Sequence, residues 1–157
     1  MLPKYSAAEI ERRWLVHLPQ VGSLTALSRR EIEDLYIAGT HMRLRKVSAE
    51  SGVVIFKLGK KYGKGDGFSE QVVSVYLTEE EYRVMAAMPG AIVKKSRYAI
   101  AGGALDVYQD PNSGLAVFEV EFQSETAATN YTPPSFISQE ITHNEQHSGF
   151  ALSQTAG

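Results

Sequence analysis

The feature that most constrains this chain is a two-residue alternation that returns charged side chains to one face of segment after segment. Glu9, Glu11 and Arg13 fall on one face of the first such segment, and Ile10, Arg12 and Trp14 fall on the other. The same spacing recurs at Arg43/Arg45, Lys95/Arg97 and Glu119/Glu121, with Met42 and Leu44, and Val120 and Phe122, on the opposite faces. Side chains two apart share a face in a strand and not in a helix. Further strands are therefore predicted near residues 41–47, 53–58, 68–76, 92–100, 104–109 and 115–123. Ala101-Gly102-Gly103 and Asp110-Pro111-Asn112-Ser113-Gly114 are turn sequences between the later runs. Such short links favour antiparallel neighbours, because a parallel crossover needs about a dozen residues.

Helix signals are fewer. Ser28 with Glu31, and Thr78 with Glu81, have capping-box spacing and predict two helix starts. The second predicts a helix carrying Tyr82, Met85 and Ala86 that ends near Pro89-Gly90. In the tail, Tyr131-Thr132-Pro133-Pro134 reads as a stiff connector. Phe136, Ile137 and Ile141 read as anchors, and a last short helix would carry Phe150 and Leu152. With 157 residues, 43% of them hydrophobic, the chain suits a single domain over 1–157. The expected class is α+β, mainly antiparallel β.

Composition removes several functions. The chain has no cysteine, which excludes disulfides, thiolate metal sites, iron–sulfur centres and cysteine nucleophiles. No apolar run approaches the roughly 18 residues of a membrane span, and no signal-peptide core follows Met1, so a cytoplasmic protein without a membrane partner is expected. Sixteen Lys+Arg against 18 Asp+Glu give a net charge of −2, so no nucleic-acid partner is expected. The Gly59–Gly67 stretch lacks the Walker A spacing, and the four histidines form no His-Glu-x-x-His motif. No isolated apolar strip specifies an oligomeric state.

An ordinary half-buried sheet also alternates, with its charges in water. Here, however, the charges are sorted by sign: the acidic pairs lie on terminal strands and the basic pairs between them. A sheet closed on itself could turn these faces inward. An interior lined by both signs is costly if dry, and makes sense as a wet cavity for a polyanion and a divalent cation. Carboxylates hold hard cations such as Mg²⁺ or Mn²⁺. Arginine forks grip phosphoryl oxygens, and lysine acts as a mobile point charge.

The opening Glu9-Ile10-Glu11-Arg12-Arg13-Trp14 resembles the Glu-x-Glu-x-Lys signature of CYTH domains, the triphosphate tunnel metalloenzymes. His41-Met42-Arg43-Leu44-Arg45, Phe56-Lys57-Leu58-Gly59, Lys95-Ser96-Arg97-Tyr98, Leu105-Asp106-Val107-Tyr108 and Phe118-Glu119-Val120-Glu121-Phe122 extend the resemblance. So does Phe136-Ile137-Ser138-Gln139-Glu140-Ile141-Thr142, and the whole covers about residues 8–152 in order. The resemblance implies an eight-stranded closed tunnel barrel with flanking short helices, a small triphosphate-containing ligand, and Mg²⁺ or Mn²⁺ as cofactor. By the same resemblance Glu9, Glu11, Glu119 and Glu121 would hold metal. Arg13, Arg43, Arg45, Lys57, Lys95 and Arg97 would bind phosphate, and Arg13, Lys57, Glu119 and Glu121 would be the catalytic groups. Glu70, Asp106 and Glu140 would support the site.

Three departures stand out. Arg13 replaces the signature lysine. Phe68, Glu70 and Val72 stand where many members have Arg-x-Glu-x-Glu, so one basic and one acidic group are missing. The preceding residues 60–67 read as a flexible insertion in which Lys60, Lys61 or Lys64 could restore the lost positive charge. The expected activity is metal-dependent hydrolysis of a small triphosphate, first of all inorganic triphosphate. Adenylate cyclisation is one alternative, although no purine-selective motif is present. A non-catalytic polyphosphate or nucleotide binder is the other, motivated by Phe68 and Val72.

Overall fold

A computed structural model describes residues 1–154, apart from the side chain of Phe150. The strands are β1 (Ala7–Val16), β2 (Arg29–Ile37), β3 (Met42–Ala49), β4 (Val54–Lys64), β5 (Ser69–Leu77), β6 (Gly90–Ile100), β7 (Gly103–Tyr108), β8 (Ala116–Glu121) and β9 (Ile137–Glu140). Helix α1 is Glu79–Ala86, α2 is Glu125–Asn130 and α3 is Gly149–Gln154. Every strand pairing is antiparallel, in the order β5-β4-β3-β2-β6-β7-β8-β1. Pairing of β1 with β5 closes these eight strands into a barrel, as the resemblance implies.

The closing strand divides one of its edges between two partners. Residues 7–10 of β1 pair with β5, whereas Trp14 to Val16 pair with β9. The wall therefore parts between β1 and β5 beyond Ile10, and the tail strand takes up the freed edge.

One expected helix start is a strand instead. Ser28 and Glu31 form no capping box, and residues 29–37 are β2, paired on both sides by β3 and β6. Ile32, Leu35 and Tyr36 have the i, i+3, i+4 spacing of a helical stripe, but β2 is covered on both faces and so carries apolar residues on both. Ladder pairing along two edges overrides the local signal. Residues 60–64 are likewise part of β4 and not of a flexible insertion. The other capping box is present: Thr78 Oγ1 accepts from the Glu81 N–H at 3.2 Å, and a Glu81 carboxylate oxygen accepts from the Thr78 N–H at 2.8 Å. Helix α1 lays Tyr82 and Met85 over Leu35, Ile37, Leu44 and Leu58.

A second apolar cluster covers the outer wall of β1 and β8. Trp14, Phe118, Val120 and Phe136 pack there with Phe122 and Tyr131, so the stiff connector and the expected anchor Phe136 lie against the barrel. Arg12 crosses this cluster. Its Nε and Nη2 each donate to the Glu140 carboxylate at 2.8 Å, and its Nη1 donates to the Ala128 carbonyl at 2.8 Å. Its guanidinium lies 5.0 Å from the Trp14 ring centre and 5.1 Å from that of Phe68. A surface ion pair alone contributes roughly 0–1 kcal/mol. With the backbone bond and two ring faces added, Arg12→Ala is expected to cost about 2–4 kcal/mol in denaturant unfolding. A loss below about 1 kcal/mol would reduce Arg12 to such a surface pair.

The third cluster is inside the barrel at one end. Val93, Tyr108 and Val117, with Leu15 and Tyr36 against them, meet Ile141 and Leu152 of the tail. Helix α3 and the segment before it thus close that end. Among the described residues, no helix is long and apolar enough to cross a membrane.

Candidate active site in the barrel interior

Strand register decides which face each charge occupies, since residues directly opposite in a ladder point the same way. Glu9 lies opposite Glu70, Glu11 opposite Glu121, and Arg13 opposite Glu119. Arg97 lies opposite Asp106, Arg45 opposite Asp34 and Lys57, and Ile32 opposite Lys95. Trp14, Phe118, Leu105, Leu44 and Leu58 occupy the other face, part of it beneath α1 and the connector. The charged face is therefore the interior, and it carries Glu9, Glu11, Arg13, Arg43, Arg45, Lys57, Glu70, Lys95, Arg97, Asp106, Glu119 and Glu121.

The basic wall is held by two aspartates, each 1% exposed. Asp34 accepts from Nε and Nη2 of Arg45, both at 2.7 Å, with Nε of Arg43 at 3.8 Å. Asp106 takes Nζ of Lys95 at 2.6 Å and Nε and Nη2 of Arg97 at 2.7 and 2.8 Å. Burial raises both carboxyls, but the surrounding cations outweigh it: Arg45, Arg43 and Lys95 lower Asp34, and Lys95 with Arg97 brings Asp106 well below the carboxylate range. Arg97 also donates to Glu119 at 2.5 Å, and Arg13 lies 3.7 Å from the same carboxylate. Burial raises Glu119 too, yet Arg97, Lys95 and Arg13 leave it lowered overall. Nη1 of Arg13 donates to the His147 carbonyl at 3.0 Å, linking the tunnel to the closing tail.

Two cations on this wall are less committed. Nε of Arg43 is buried without a hydrogen-bond partner, and Lys57 has no ion-pair partner among the described residues. Burial lowers the Lys57 ammonium, and Arg45, Arg43 and Arg97 lower it further. A polyanion would satisfy both groups.

The acidic wall has a different centre. Nζ of Lys61 lies 2.6 Å from Glu9, 3.3 Å from Glu11 and 3.7 Å from Glu70. Burial raises the Glu11 carboxyl and neighbouring Glu119 raises it again, against the pull of Lys61. Glu121 is exposed beside this group, opposite Glu11 in the ladder. Among the described residues no three His, Asp or Glu side chains are spaced to hold a metal ion as they stand. The donors are nevertheless hard oxygens, and three of them already enclose a positive charge, so their chemistry fits a hard divalent cation.

The remaining candidates separate. Glu140 lies outside the tunnel, bound to Arg12. Phe68 packs against Arg12 and lies 6.0 Å ring to ring from His143, while Val72 occupies the interior face opposite Lys61. Asp34 is a further interior residue that the expected helix start at Ser28 conceals. Its signal was the alternation Arg30, Ile32, Asp34, Tyr36, continuous with the charged faces of its neighbours.

No family model matches the chain. It is 30% identical over 151 residues to the inorganic triphosphatase of Nitrosomonas europaea, covering 92% of this chain and 95% of that protein. Two crystal structures resemble the fold at 25% identity. One, of hypothetical protein NE1496, superposes with a TM-score of 0.62 over 95% of this chain and 99% of its own. The other, of inorganic triphosphatase NE1496, gives 0.59 over 92% and 93%.

Proposed function

The chain belongs to the same family as the inorganic triphosphatase of Nitrosomonas europaea, and we propose that it hydrolyses inorganic triphosphate in its barrel interior as a CYTH-type tunnel enzyme. The observation that carries this reading is the interior pairing of a basic wall with an acidic one. Asp34 and Asp106 are positioning residues that hold Arg45, Lys95 and Arg97 in fixed directions. A rigid array of cations stabilises charge on a transferring phosphoryl group without reorganising. Arg43 and Lys57, less committed in the free protein, take up phosphate oxygens on binding. Glu9, Glu11, Glu70 and Glu121 would hold Mg²⁺ or Mn²⁺, whose Lewis acidity would act on phosphoryl oxygen and the attacking water. Arg97 first, then Lys95 and Arg13, keep the Glu119 carboxylate ionised, and Arg13 joins that carboxylate to the closing tail.

Purified protein is expected to release phosphate from tripolyphosphate with Mg²⁺ or Mn²⁺ and to stop with chelator. Thiamine triphosphate and nucleoside triphosphates, with product identification for cyclic AMP, complete the panel. No metal-dependent turnover on any of them overturns the enzyme. Val72 in place of an expected carboxylate favours a second reading, a polyphosphate binder. Calorimetric binding of tripolyphosphate without turnover would select it.

A further inference from the structure

We infer that Lys61 is a built-in counter-ion of the acidic wall, whose ammonium must be expelled from among Glu9, Glu11 and Glu70 before a divalent cation can bind there. The inference rests on the proposed metal-dependent activity and adds a residue that governs its metal affinity.

The placement of Lys61 is specific. Strand β4 continues to Lys64, and its register against β5 shifts between Lys61 and Lys64. Gly63 makes the shift with φ +100, a conformation that a side chain would strain, and its N–H donates to the Glu70 carboxylate at 3.0 Å. Lys61 faces Val72 across the ladder, so no charge stands directly opposite and its side chain extends to β1. The other lysine of this segment that reaches inward, Lys64, is engaged differently: its Nζ donates to the Glu11 carbonyl at 3.2 Å. Lys61 alone thus spans the three carboxylates, including the surviving acidic residue of β5.

The electrostatics define the competition. Three carboxylates gathered around one ammonium repel one another across it, and the ammonium offsets one of their charges. A divalent cation offsets two, and carboxylate oxygens are its preferred ligands. Both cations cannot occupy the same few ångströms, so metal entry and Lys61 exit are one exchange. Metal affinity is consequently held down while Lys61 is in place, and the expelled ammonium becomes a free cation inside a tunnel built for a polyanion.

Calorimetric titration of Mn²⁺ into the full chain without phosphate tests the exchange. Lys61→Met is expected to bind Mn²⁺ at least about tenfold tighter than wild type, as removal of a unit charge a few ångströms away requires. Unchanged or weaker affinity overturns the inference. Should Lys61→Met not fold, wild type supplies the second measurement: acylation of Lys61 by an amine reagent, read by mass spectrometry against exposed Lys94. Saturating Mn²⁺ is expected to raise Lys61 labelling several-fold, and constant labelling while Mn²⁺ binds overturns the inference. Metal-dependent tripolyphosphate hydrolysis by wild type, with Lys61→Met binding Mn²⁺ no tighter, removes the counter-ion alone. Absence of both Mn²⁺ binding and hydrolysis removes it together with the enzyme reading.

Discussion

Asp106→Asn is expected to destabilise the protein by about 3–5 kcal/mol, the range for removing one partner of a buried ion pair. Asp106 is 1% exposed and Lys95 7% exposed, so neither partner can be repaid by water. The substitution keeps the shape and deletes the charge that Lys95 and Arg97 share. For a chain of this size the loss corresponds to a Tm lower by on the order of 10 °C. Tripolyphosphate should recover part of it, because a bound anion returns negative charge to the same two cations. A Tm change under about 2 °C would mean that Lys95 and Arg97 do not depend on this carboxylate. The pH dependence has a definite sign. The folded carboxyl lies below its unfolded value, so its stabilisation is present above about pH 4 and is lost as pH falls below that. Wild type should therefore keep this increment through pH 5–7, and Asp106→Asn should lack it there.

Lys57→Met is expected to act in the opposite sense on the free protein. Tripolyphosphate affinity should fall about 10- to 100-fold, the value of a hydrogen bond to a charged group. Unfolding of the free protein should occur at the same or a higher temperature, since a lowered ammonium is one whose surroundings disfavour its charge. Burial leads this effect, followed by Arg45, Arg43 and Arg97. Above the lowered folded value the unfolded chain binds the extra proton, so Lys57 makes stability rise with pH up to about 10.4, where a free lysine titrates. That rise should be smaller in Lys57→Met. Binding moves the other way: tripolyphosphate affinity of wild type should decline as pH rises through the lowered Lys57 value. Equal affinity in the two proteins, measured by calorimetry near neutral pH, would take Lys57 out of the phosphate site.

The interior charges were legible because strand alternation is local: Glu9/Glu11/Arg13, Arg43/Arg45, Lys95/Arg97 and Glu119/Glu121 each declare a shared face within a few residues. Whether four such faces meet is a matter of closure, which no single segment records. The β1–β5 ladder that completes the barrel joins residues about sixty positions apart. Asp34 was obscured because a strand covered on both faces loses clean alternation, and the spacing of Ile32, Leu35 and Tyr36 imitates a helix. Lys61 was obscured by composition, since lysine and glycine together resemble a loop even where they extend a ladder. Glu140 carried its segment's acidic pattern, but the segment runs along the outer edge of β1, where Arg12 claims it.

The tail packed into one end of the barrel turns a passage into a dead end. A phosphate chain bound as proposed would have to leave by the mouth through which it entered, and could not be drawn through and cut at intervals. Depth would then act as a ruler: a short chain could seat fully among the interior cations, whereas the added phosphates of a longer one would remain outside. Opening the blind end by shortening Leu152 and Ile141 would change what length of chain the vessel accepts.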